Sequence, residues 1–122
     1  MTRTRASAKK AGATFERAVA DHLAAALSDD RIDRRVKTGA KDRGDIAGLR
    51  HMGQRLVVEV KNVTRTDLSG WVREAELERG NDDALAGVVI HKRHGVGALG
   101  DQYVTMRLDD LVALLTGERR AT

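Results

Sequence analysis

Apolar positions recur along this chain with two periods, and each period predicts a different kind of element. From about Ala11 to Leu27 they fall at Phe15, Val19, Leu23, Ala26 and Leu27, the i, i+4, i+8, i+11, i+12 pattern of one helix face. Glu16 lies on that stripe, between Leu23 and Leu27 in azimuth, while Arg17 and Asp21 point away. Ser28-Asp29-Asp30 closes the helix, and the pattern then becomes that of strands: Arg31 to Lys37 with Ile32 and Val36, Asp45 to Leu49, and Arg55 to Asn62. Val63 to Gly70 is a polar connection in which Thr66, Asp67 and Ser69 are possible helix caps. Trp71 to Arg79 reads as a charged amphipathic helix stopped by Gly80-Asn81, and Val88-Val89-Ile90 as an inner strand. Arg93 to Gly100 is glycine-punctuated and predicts a mobile loop, and Gln102 to Leu108 alternates as a last strand. Asp109 or Asp110 then caps a final helix with Leu111, Val112 and Leu115 inward, ended at Gly117. The expected fold class is α/β, a mixed central sheet of about five strands flanked by helices.

One strand breaks its own pattern. In Arg55-Leu56-Val57-Val58-Glu59-Val60-Lys61-Asn62, Leu56, Val58 and Val60 share one face, and Val57, Glu59 and Lys61 the other. Ionised groups on a strand with apolar residues on both faces are costly to bury unless paired or bound to metal. A salt bridge at a strand end would account for them, and so would a site. If the strand opening on Asp45 forms an antiparallel hairpin with this one, its start lies beside the other's end and Asp45 approaches Glu59 and Lys61.

Composition narrows the partners. The 122 residues make one domain, 11–122, preceded by residues 1–10, whose Arg3, Arg5, Lys9 and Lys10 without apolar period predict a flexible basic arm. A formal charge of +4 is compatible with a phosphate-rich partner. Cysteine is absent, which excludes disulfides, thiolate zinc sites and cysteine nucleophiles and fits a reducing, cytoplasmic location. No run is long enough to span a membrane. With Phe15, Trp71 and Tyr103 the only aromatics, base stacking is a poor mode of recognition, and backbone contacts and shape should dominate any nucleic-acid binding. Arg34, Arg35, Lys37, Lys41 and Arg43 surround the acids in sequence and are candidate phosphate contacts, or a solvated charge run. Trp71 is expected to be a packing anchor, and His91 and His94 basic surface rather than a metal pair.

Magnesium takes oxygen ligands at about 2.0–2.1 Å and needs only one or two carboxylates. Asp45 and Glu59 can supply these, the Val60 carbonyl can add an oxygen, Lys61 can position a nucleophile or stabilise a transition state, and Glu16 can orient metal-bound waters. Glu16 near a helix N-terminus also suits the dipole and solvent without any task.

Gly44-Asp45 followed by Val58-Glu59-Val60-Lys61 resembles the PD-(D/E)xK nuclease motif, and Gly12-Ala13-Thr14-Phe15-Glu16-Arg17 resembles the first helix of the archaeal-type Holliday-junction resolvases. The basic loop from Val36 to Arg43 and Val89-Ile90-His91-Lys92 fit as well, so the likeness covers most of the chain after residue 10. The resemblance implies a restriction-endonuclease-like fold and a homodimeric endodeoxyribonuclease that uses magnesium, with manganese as a substitute. Its substrate would be branched double-stranded DNA in recombination and repair. It carries the catalytic roles onto Glu16, Asp45, Glu59 and Lys61, and it matches Thr38 to a loop hydroxyl that approaches the scissile strand. One departure stands out: Gly44 occupies the position of the motif's proline. A four-way junction needs two symmetry-related cuts, which independently favours a two-fold pair of these small domains. The rivals are another PD-(D/E)xK nuclease acting in nicking, flap cutting or repair, a non-catalytic DNA-binding protein, and a protein-interaction module.

Overall fold

The computed structural model describes residues 3–36, 39 and 41–120. Helix α1 runs from Arg5 to Ala26, earlier than the apolar period predicts. Thr4 is its cap, its hydroxyl accepting the Ser7 amide at 3.0 Å, and the alanines and lysines that follow are good helix formers that need no buried face. Residues 5–10, expected in a flexible arm, are therefore helical. Arg3 also donates to the Asn62 carbonyl at 3.0 Å, tying the start of the chain to the end of the long strand. At the other end Leu27, expected inside, is exposed, because the helix ends at Ala26 and the chain turns at Ser28 with φ 51°.

Among the described residues six strands follow the helix in a mixed open sheet: β1 (Asp33–Arg34), β2 (Ile46–Ala47), β3 (Arg50–His51), β4 (Gln54–Lys61), β5 (Ala86–His91) and β6 (Tyr103–Thr105). Their order is β1-β2-β4-β5-β6, with β3 paired to β4. The antiparallel pairing expected around β4 is present, with Ile46 opposite Val58. Met52 and Gly53, both at positive φ, make the two-residue turn from β3 into β4. β4 and β5 run parallel from Leu56↔Ala86 to Lys61↔His91, joined by helix α2 (Leu68–Asn81), which Asp67 caps through the Gly70 amide. β6 closes the sheet antiparallel to β5.

The two faces of the sheet carry different cargo. Phe15, Val19 and Ala20 of α1 pack with Ile32, Ile46, Val58, Val60 and Val88 on one face. On the other, Trp71 and Ala75 of α2 cover Val89, so Trp71 is a packing anchor as expected. Gly87 permits that approach: a Cβ there would lie 2.8 Å from the Ala75 carbonyl oxygen.

Helix α3 (Leu108–Thr116) departs from its predicted orientation. Leu108, Leu111 and Leu115 are exposed, and the buried residues are Asp110 and Ala113. The reason is electrostatic: Asp110 accepts the Gly87 amide and pairs with Arg119 and Arg107, which turns the leucine stripe outward. The loop after β5 is also braced rather than loose. Gln102 accepts the Arg93 amide and donates to the Val96 and Ala98 carbonyls. No helix among the described residues is long and apolar enough to cross a membrane.

Candidate functional site

Asp45 stands at the entry to β2, and Gly44 lets the chain reach that point. Its φ is +95°, and a Cβ would meet the Val58 carbonyl oxygen at 3.0 Å and Val57 Cγ1 at 3.1 Å. Proline, held near φ −65°, cannot adopt this conformation, so the backbone itself calls for glycine at this position. The Asp45 amide donates to the Val58 carbonyl at 2.8 Å, and its Oδ2 accepts the Val60 amide at 2.8 Å. Two backbone bonds thus clamp a carboxyl that is only 6 % exposed against β4. The Asp45 carboxylate therefore lies against the backbone of Val60, between Glu59 and Lys61 in the chain, and its charge acts on both.

Glu59 and Lys61 face α2, on the same side of β4 as Val57. Lys61 Nζ lies 3.5 Å from Glu59 Oε1 and 2.8 Å from Glu74 Oε1. α2 also brings Glu78, which is 1 % exposed. Among the described residues, ligand atoms of Glu59, Glu74 and Glu78 lie within 4.8 Å of one another. Glu59 Oε2 and both oxygens of Glu78 are buried with no hydrogen-bond partner there.

This crowding governs protonation. Burial, contact with Glu78 and the charge of Asp45 push the Glu59 carboxyl up to about 12. Burial likewise raises Glu78 to about 7. Burial also opposes the charge on Glu74, but hydrogen bonds with Lys61 and Glu59 outweigh it and lower its pKa. For Lys61, burial favours the neutral amine, yet Glu74 and Glu59 win and hold the ammonium. The carboxylates are short of positive charge: Asp42 and Asp45 raise Glu78 further, and Asp42 opposes the ionisation of Glu74.

The remaining expected residues have more varied surroundings. Glu16 is on α1, which packs on the opposite face of the sheet, and its Oε1 lies 3.4 Å from Arg34. Arg34 is thereby paired, and Arg35 approaches the buried Asp82 at 3.8 Å beside Arg55 at 3.4 Å. Lys41 and Arg43 are exposed, as a phosphate contact requires. Thr38 and Lys37 lie outside the described residues. Asp42 fastens this loop to α2: its carboxylate accepts the Gly44 amide and its carbonyl accepts Asn81. His91 is not basic surface. It is tucked against Trp71, with ring centroids 5.3 Å apart, and bonded to Thr105, and burial lowers its pKa.

Glu74 and Glu78 are the site residues that the sequence reading passes over. Their signal was present in the helix pattern, since Trp71, Glu74, Ala75 and Glu78 fall at i, i+3, i+4 and i+7, on the stripe that must face the sheet. No protein-family model, curated protein or solved structure matches the chain.

Proposed function

We propose that this protein is a metal-dependent, structure-selective DNA endonuclease of the PD-(D/E)xK type that resolves four-way junctions by phosphodiester hydrolysis. The observation that carries the reading is the meeting of Asp45, Glu59 and Lys61 at the end of one strand, the acids nearly buried and the lysine held as an ammonium. The topology supports a restriction-endonuclease-like fold: a helix, an antiparallel set around a central strand, then a helix and a parallel strand.

The donor set suits a hard cation, because all its side-chain atoms are carboxylate oxygens and one of them, Glu59 Oε2, is buried without a donor. Magnesium or manganese bound there would activate water and offset charge developing on the phosphate. Asp45 and Glu59 are its proposed ligands, with the Val60 carbonyl adding an oxygen, whereas Glu16, expected in the set, lies on the helix that packs on the opposite face of the sheet. Lys61 sits at the rim of the site, where an ammonium can meet a phosphate oxygen and lower the barrier electrostatically. Lys41 and Arg43, both exposed, would grip the DNA backbone, with Arg34, Arg35, Lys37 and Thr38 as further contacts. The partner is branched double-stranded DNA, bound by a homodimer in the cytoplasm.

Incubation of the purified chain with a labelled four-way junction and magnesium tests this. Paired symmetric cuts are expected, lost with chelator and reduced at least about a hundredfold in Glu59→Ala and Lys61→Ala. Undiminished cutting by both variants would remove the assignment, and single nicks or flap products would move it to another nuclease of the same chemistry. A second reading rests on the same ion pairs: Lys61 bridged to Glu59 and Glu74 is also a sound structural link in a non-catalytic DNA-binding protein. That protein would bind junctions with strong salt dependence and no need for metal.

A further inference from the structure

We propose that Glu59, Glu74 and Glu78 form a binding site for an oxygen-seeking divalent cation on the α2 side of β4, with Glu78 its buried anchor and Glu74 its solvent-side arm. Three observations lead there. The carboxylate oxygens of the three residues lie within 4.8 Å of one another, and opposing ligands stand about 4.2 Å apart on magnesium and up to about 5 Å on calcium. Both Glu78 oxygens and Glu59 Oε2 are buried with no donor from another residue type, so these carboxyls can be held only by a proton shared between them or by a countercharge such as a cation. The helix offers no relief, since Glu74 and Glu78 are four residues apart on one face and repel each other.

The countercharge at hand is Lys61, and it is overcommitted. Its ammonium contacts Glu74 and Glu59, the same carboxylates that would take up the cation. Entry of a cation therefore competes with Lys61 for Glu74 and frees the ammonium to turn toward the solvent edge. In the nuclease reading, on which this consequence alone rests, the cation releases the lysine that the reaction uses. The cation site itself needs only Glu59, Glu74 and Glu78. It shares Glu59 with the metal proposed above and leaves out Asp45, whose Oδ2 is held by the Val60 amide.

The test uses the full chain freed of metal by chelator, without DNA, and follows thermal unfolding and isothermal titration with calcium, then magnesium. Wild type should bind saturably and rise in melting temperature. Glu78→Gln, which replaces a part-protonated buried carboxyl by a neutral amide, should melt at least as high as wild type before any cation is added and should lose the cation-dependent rise. Glu74→Gln, at a half-exposed position where folding is not at risk, should weaken calcium binding at least about tenfold. Wild type without a saturable response, or Glu74→Gln titrating like wild type, overturns the proposal whether or not Glu78→Gln folds. A chain that binds calcium through Glu74 yet cuts no junction would end the nuclease reading and leave this site standing. Cleavage indifferent to Glu74→Gln and Glu78→Gln would overturn the release of Lys61 by the cation.

Discussion

His91 shows how one side chain can lose the character that its type suggests. A histidine at the end of a strand, followed by Lys92 and Arg93, reads as part of a basic patch, yet its ring is enclosed by Trp71, Tyr103 and the Thr105 hydroxyl, with Lys61 opposite it in the parallel register. Burial lowers its pKa below the ordinary value, so the folded state holds the neutral ring. The sign follows: its contribution to stability is complete above about pH 6.5 and is lost as pH falls through the lowered folded value. Urea titrations of wild type and His91→Gln from about pH 7.5 to about pH 5 should therefore differ in slope, with wild type losing more on acidification. Equal slopes would show that the ring takes up its proton in the fold without penalty. Glu59 and Lys61, by contrast, were legible residue by residue, because a charge amid alternating valines has few explanations.

At the level of elements, helix α3 is where periodicity misled. Leu111, Val112 and Leu115 carry the larger apolar signal, but the helix docks through Asp110 and Ala113. Asp110 is 2 % exposed and draws together the Gly87 amide, Arg119 and Arg107, the last also bound to Glu76 of α2. No hydrophobicity pattern can anticipate a helix seated on a carboxylate, because what seats it is charge pairing with Arg107 at its N-cap and Arg119 just past its end and a bond from the Gly87 amide of β5. Asp110→Ala should cost about 2–3 kcal/mol in a urea melt, less than the 3–5 of a wholly buried pair because both arginines reach solvent. A loss under about 0.5 kcal/mol would mean that packing of Ala113 alone seats the helix. The strand elements were more readable. β4 and β5 declare themselves by valine runs, and the parallel pairing between them follows once a helix is recognised in the connection. The acids on that helix escape its reading as a charged amphipathic helix, because its inner stripe itself includes two of them, Glu74 and Glu78.

For the whole molecule, the outward leucines change what a stable assembly looks like. Leu108 and Leu115 are each more than 70 % exposed, and Tyr103 and Val104 on the adjoining edge strand are more than half exposed. β6 is the last strand of the sheet, and such an edge can pair with its own copy about a two-fold axis. The proposed homodimer is expected to use this face, and Leu111→Glu with Leu115→Glu should convert a dimer to a monomer in light scattering without loss of helical signal. A wild-type monomer at about 100 μM, or a double variant that still dimerises, would move the two-fold contact elsewhere or remove it. The seam between β4 and α2 has a further consequence, for the order in which the fold assembles. Parallel strands must be joined by a crossover, here α2, so β4, α2 and β5 make a natural candidate nucleus, and Glu59 and Glu78 meet inside it. The chain thus carries local frustration inside this nucleus, with the carboxylates of the proposed cation site resisting its first long-range contact. Calcium should then raise the refolding rate in stopped-flow experiments, and Glu78→Gln should refold quickly with or without it. If calcium slows only unfolding, the acids come together after the barrier is crossed, and the nucleus lies elsewhere in the sheet.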